Sequence, residues 1–164
     1  ELALHLDRIT EETEVLVTSG ATQALFAMAQ GLVNPGDEVV IFEPFYESYV
    51  PDVTMAGGVP RFVPLRPAGP DGAWVFDPDE LKAAFNERTK LVFVNTPHNP
   101  TGKVFTRGEL EFIPDLCVEF DVVAITDERA GISSEKYRVR AIVEDFDSTK
   151  HPMIYQQTVE LGAP

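Results

Sequence analysis

Four short segments hold the residue types that bind a small charged ligand. Thr18-Ser19-Gly20-Ala21-Thr22-Gln23 places small residues where a helix is expected to begin. A helix N-terminus offers unpaired N–H groups and the positive end of a dipole, which suits a phosphate. Gly20 and Ala21 let the backbone approach closely, and Thr22 adds a hydroxyl. The same residues equally suit a plain capped turn. Glu43-Pro44-Phe45-Tyr46 offers an aromatic face that can cover a flat ring or pack into a core. In Asn95-Thr96-Pro97-His98-Asn99-Pro100-Thr101-Gly102-Lys103, two prolines stiffen the loop. Pro100 holds Asn99 extended, so its amide is presented to a ligand oxygen or simply forms a turn. His98 is expected to be solvated there. Asp127 and Glu128 end an apolar run, where a carboxylate either caps the next segment or pairs with a ligand cation. No His, Cys or carboxylate cluster has metal-ligand spacing.

These segments need a scaffold, and the pattern between them supplies one. Val15-Leu16-Val17-Thr18, Val39 to Phe42, Arg61 to Leu65, Leu91 to Val94 and Val122 to Thr126 are predicted strands. Ala21, Leu25, Met28, Ala29 and Leu32 have helical spacing. Residues 46 to 56 form a second helix that tolerates Pro51 only near its first turn. Residues 66 to 76, with two prolines and two glycines, are predicted to be a loop. Asp77-Pro78-Asp79-Glu80 starts a helix with the spacing of a capping box, and Thr106 to Glu109 repeats it. Pro114 is expected to kink or shorten the helix after Glu109. Apolar strands alternating with helices predict an α/β fold, with a mostly parallel sheet covered by helices on both faces. Right-handed crossovers put the candidate loops along the carboxyl edge, where such sheets bind ligands.

The chain has 164 residues and a formal charge of -14. Its acidity argues against nucleic acid and against anionic membranes as partners. The single cysteine, Cys117, excludes an intrachain disulfide and is expected to be a buried small hydrophobe. That fits a reducing, cytoplasmic setting. No apolar run reaches membrane-spanning length. Residues 1 to 128 hold 8 basic and 22 acidic side chains, whereas 129 to 164 hold 5 of each. The strand–helix rhythm fades at the same place. Arg138 to Val143 is one predicted strand, and the final stretch predicts no element.

In this order the four segments resemble the class I/II aminotransferases of fold type I. The resemblance runs from about Val15 to Glu128 and also rests on Asn34-Pro35-Gly36-Asp37-Glu38-Val39. The kynurenine, methionine and succinyl-diaminopimelate transaminase branch is the most similar. The resemblance implies pyridoxal 5'-phosphate as cofactor, an amino acid and a 2-oxo acid as substrates, and a homodimer. It implies that Gly20, Ala21 and Thr22 cradle the cofactor phosphate and that Tyr46 stacks on the ring. Asn99 would bond the phenolic oxygen, and Asp127 would pair with the ring nitrogen.

The chain also departs from the family. The lysine that bonds the cofactor is expected some thirty-odd residues after the aspartate. Lys136 and Lys150 both come too early, and the sequence expected after Ser148-Thr149-Lys150 is absent. Position 130 is Ala130 where a tyrosine is expected. The chain is therefore expected to be a partial cofactor-binding domain over 1–128 with a divergent tail over 129–164, incomplete as a catalyst and with no catalytic residue assigned. The alternatives are a non-catalytic, partner-binding remnant and a Rossmann-like nucleotide-binding enzyme. The latter would use Glu43 near the ribose-binding spacing, although Gly20 to Leu25 lacks the Gly-x-Gly-x-x-Gly pattern.

Overall fold

The computed structural model describes residues 18–68, 72–120, 123–130, 136–142 and 156–160, and the backbone alone from residue 118 onward. The elements are α1 (Ala21–Leu32), β1 (Glu38–Glu43), α2 (Tyr49–Met55), β2 (Val59–Pro64), β3 (Arg66–Ala68), β4 (Ala73–Val75), α3 (Pro78–Ala84), β5 (Thr89–Thr96), α4 (Arg107–Phe120), β6 (Val123–Ala130), β7 (Lys136–Ile142) and β8 (Gln156–Glu160). Of the expected first strand, Val15, Leu16 and Val17 lie outside the described residues.

β2, β1, β5 and β6 pair in parallel, in the order β2-β1-β5-β6-β7-β8. β7 and β8 join antiparallel. Strand period separates the side chains onto two faces. Val40, Phe42, Val92 and Val94 pack on one face, against Leu81 of α3, Phe85 just after it, and Ile113, Leu116 and Cys117 of α4. Val39, Ile41, Leu91 and Phe93 pack on the other, against Leu25 of α1 and Tyr49 and Val53 of α2. Both faces are covered, which explains why β1 and β5 are apolar at consecutive positions. Each of these side chains contributes about 1.5–3 kcal/mol by leaving water, more than any single surface contact.

The amino edge of the sheet is held by one carboxylate. Glu38 is 2% exposed. It accepts from Arg61 at 2.6 and 2.7 Å, from Arg88 at 2.8 and 2.5 Å and from Asn86 at 2.8 Å. The Arg61 guanidinium, opposed by burial and helped by Asn86 and Arg88, lowers the Glu38 pKa to about 2. The start of β1 is thereby tied to β2 and to the turn before β5. Between α2 and β2 the chain passes close to its neighbours: a Cβ on Gly58 would lie 2.7 Å from Val33 Cγ1 and 3.0 Å from Val53 Cγ1. Only glycine fits there without a shift.

Several local expectations are corrected. Residues 66 to 76 are not a plain loop but contain the β3–β4 hairpin, registered Pro67 to Trp74. Burial of Phe76 and packing of Trp74 on the α3–α4 side draw the segment in. Pro67 is tolerated because a two-stranded ribbon leaves its edge free. At α3, Asp77 accepts from the N–H groups of Asp79 (2.8 Å) and Glu80 (3.4 Å), but Glu80 reaches Arg66 instead of closing a capping box. The box at α4 does close: Thr106 N–H donates to Glu109 at 2.7 Å, and Glu109 N–H to the Thr106 hydroxyl at 3.3 Å. α4 runs through Pro114 to Phe120. Burial of Ile113, Leu116 and Cys117 offsets the roughly 3 kcal/mol that an interior proline costs. The final stretch, where no element was expected, holds β8. No described helix is long and apolar enough to cross a membrane.

Candidate cofactor site at the carboxyl edge

β1 ends at Glu43 and β5 at Thr96, so the loops after them open at one edge of the sheet. The N-terminus of α1 reaches the same place. Gly20 is its N-cap residue, with φ 89°, a conformation open to glycine and strained for other residues. It has no side-chain cap, and the first turn of α1 carries no acidic residue. The turn is pinned from outside the helix. The Thr18 hydroxyl donates to Gly20 O at 2.9 Å, and Ser19 N–H donates to Gln23 Oε1 at 2.6 Å. Among the described residues, nothing lies within 4 Å of where a Gly20 side chain would stand. Uncapped first-turn amides beside open space are the donor set that an anion requires.

Thr22 brings in the second segment. Its hydroxyl lies 3.3 Å from the Tyr46 hydroxyl, across 24 residues of sequence. The Tyr46 ring meets Tyr49 edge-on at 5.7 Å, and Tyr49 stacks on Phe93 of β5 at 4.6 Å. Tyr46 is thus braced against the sheet while remaining half-exposed. Phe45 turns away and stacks on Phe62 at 5.4 Å.

The third segment is anchored from below. Asn95, 5% exposed, accepts the Asn99 N–H through Oδ1 at 2.5 Å. The Asn99 side chain is left on the exposed tip. The bonds preceding Pro44, Pro97 and Pro100 are cis. His98 is not solvated as expected. It is 3% exposed, with Nδ1 2.9 Å from the Thr101 hydroxyl. Burial, reinforced by the Lys103 ammonium, lowers its pKa to about 4. A proline-bounded loop was expected to stand in water, but backbone bonds between His98 and Lys103 fold it inward.

Asp127 does not end its strand, since β6 continues to Ala130. Its backbone is registered against Asn95, the residue that holds Asn99. Asp127 and the Asn99 loop therefore share one level of the carboxyl edge. Ala130 ends β6 and is registered against Lys136, the first residue of β7. Lys150 lies outside the described residues. Gly20, Ala21, Thr22 and Tyr46 form one group by contact, and Asn99 and Asp127 a second through Asn95. Asn95 heads the third segment in the sequence, but its part in holding Asn99 was not assigned there. Among the described residues, no group of three His, Cys, Asp or Glu could hold a metal.

A helix-covered parallel sheet with an uncapped helix, an aromatic ring and an amide along its carboxyl edge defines an α/β core with a candidate ligand site at that edge. The chain belongs to the aminotransferase class I and II family, whose model matches residues 2–141. It is 52% identical over 131 residues to kynurenine--oxoglutarate transaminase 3 of Mus musculus, covering 76% of this chain and 29% of that relative. Among solved structures it is similar to N-succinyldiaminopimelate aminotransferase from Mycobacterium tuberculosis, with TM-score 0.67 and 48% identity. That match covers 71% of this chain and 30% of the other. A PLP-bound protein of Clostridium difficile 630 superposes with TM-score 0.60 at 26% identity, over 66% of this chain and 28% of its own. The chain thus spans about three tenths of the length of the relatives it matches. Family membership displaces the dinucleotide-binding alternative.

Proposed function

We propose that this chain forms the cofactor-binding part of a pyridoxal-phosphate-dependent aminotransferase, which moves an amino group from an amino acid to a 2-oxo acid. The observation that carries this reading is the meeting of Thr22 and Tyr46 at the uncapped N-terminus of α1. The residues fit the cofactor by their chemistry. The amides of Gly20, Ala21 and Thr22, with the Thr22 hydroxyl, would hold its phosphate. Tyr46 would lie against its ring, and Asn99 would donate to its phenolic oxygen. Asp127 would keep the ring nitrogen protonated. Bound there, the cofactor supplies an electron sink for the charge left on a substrate Cα after proton loss.

The protein is expected to act as a homodimer, with the lysine that bonds the cofactor not assigned within 1–164. The relatives' names make kynurenine and oxoglutarate the first substrate pair to try. Residues 129–164 are proposed to be a divergent tail.

The test is a visible absorption titration of the chain with pyridoxal phosphate, beside Asp127→Asn. A saturable band at one cofactor per chain, shifted or lost in Asp127→Asn, is expected. Equal, unsaturable reaction of both proteins at surface lysines would reject the reading and leave a non-catalytic remnant.

A further inference from the structure

The loop that presents Asn99 is tied down more firmly than a turn requires. His98 N–H donates to Lys103 O at 2.7 Å, and Gly102 N–H to His98 O at 2.6 Å. Lys103 N–H donates to the Thr101 hydroxyl at 3.2 Å. These bonds close the segment into a small ring of chain with Asn99 at its tip. The exit of that ring is anchored by a buried charge. The Lys103 side chain is 4% exposed. Its Nζ lies 2.8 and 3.0 Å from the two oxygens of Glu109, and 4.8 Å from the centre of the Phe105 ring. Phe105 packs in turn on Phe42 and Phe76 in the core.

Glu109 is the residue that closes the capping box of α4, accepting from both the N–H and the hydroxyl of Thr106. Burial pushes its carboxyl up, but Lys103 and Thr106 more than offset this and leave the pKa lowered. One carboxylate therefore serves the helix start and the loop exit together.

An ammonium is costly to bury, and an apolar side chain of equal length would fill the same space. What the charge adds is a fixed direction. We propose that Lys103 is a positioning residue for Asn99: its buried pair with Glu109 locks the loop stem to α4 and so sets where the Asn99 amide points. The inference rests on the proposed function for its purpose, since Asn99 matters as a donor to the cofactor ring.

Two measurements on the 164-residue chain separate the inference from that reading. The first needs no cofactor: amide hydrogen exchange in the parent, Lys103→Met and Lys103→Arg. In Lys103→Met, the His98, Asn99 and Gly102 amides are expected to exchange at least about tenfold faster, with those of Val92 and Phe93 unchanged. Lys103→Arg should restore part of the protection. Equal acceleration of the β5 amides would reduce Lys103 to a general stabiliser and overturn the proposal, as would an unchanged Asn99 amide. Glu109→Gln replaces Lys103→Met, with the same outcomes, should the latter not fold. The second measurement is the pH midpoint of the visible band of bound pyridoxal phosphate. Lys103→Met should shift it in the same direction as Asn99→Ala, and the double variant should shift it no further. Additive shifts would overturn the proposal. A parent chain that gives no saturable band rejects the cofactor reading alone, and the exchange pattern still decides the clamp.

Discussion

Asp52 shows how a single side chain can set the pH response of the fold. It lies in α2, is 5% exposed, and its Oδ2 has no hydrogen-bond partner among the described residues. Burial raises its pKa from 3.8 to about 6. The folded chain thus binds a proton at Asp52 more readily than the unfolded chain does in that window. Its contribution to stability falls as pH rises from about 4 to about 6, and the cost of a buried charge is fully present above. Asp52→Asn removes the charge and keeps the shape. Thermal melts should show a higher Tm for Asp52→Asn near pH 8, with the difference vanishing near pH 4. An equal Tm at both would mean that the carboxyl is hydrated in solution. His98 has the opposite sign, since its depressed pKa makes acid destabilising as pH falls from 6.5 toward 4. Neither behaviour was legible in the sequence. Asp52 stands in an ordinary helical pattern, and His98 in a loop that composition alone would leave in water. Gly20, Tyr46 and Asn99 were proposed from the order of the four segments, since glycine and asparagine are ordinary turn residues and carry no signal singly. Lys103 and Glu109 were not, because nothing in a Lys–Glu spacing of six residues predicts a buried pair.

At the scale of the elements, the central strands were readable because burial on both faces leaves β1 and β5 apolar without a break. The α4 start was readable for a different reason, as Thr106 and Glu109 satisfy each other locally. The β3–β4 hairpin was hidden because its strands are three residues each and are held by contacts with α3, Arg66 to Glu80 among them. β8 was hidden because its pattern, Gln156 to Glu160, has neither alternation nor an apolar run. The amino ends of β1, β2 and β5 depend on Glu38. Glu38→Gln would leave two guanidinium groups with a weaker acceptor, and both are partly exposed, with side-chain exposures of 46% for Arg61 and 64% for Arg88. Solvent therefore compensates part of the loss, and a cost of about 2 kcal/mol is expected in urea unfolding near pH 7. Because the Glu38 pKa is lowered to about 2, its contribution is complete above pH 4.5 and fades as pH falls toward 2. A Glu38→Gln chain with an unchanged midpoint and unchanged acid limb would contradict the role given to this cluster.

For the whole molecule, the two ends of the sheet divide the work. The amino end is closed by charge pairs, while the carboxyl end is left uncapped at α1 and presents Tyr46 and Asn99. In a chain of net charge -14, a phosphate at the carboxyl edge would draw on the first-turn amides of α1 and the Thr22 hydroxyl. The central claim is that this edge is a cofactor cradle. Its most direct test is a titration of the isotopically labelled chain with pyridoxal phosphate, following every backbone amide by NMR. The account predicts saturable shifts concentrated at Gly20, Ala21, Thr22 and Gln23, with smaller ones at Tyr46 and Asn99, reproduced at the first four by inorganic phosphate at higher concentration. Shifts scattered around the surface lysines Lys82 and Lys90, with the α1 amides unmoved, would contradict it.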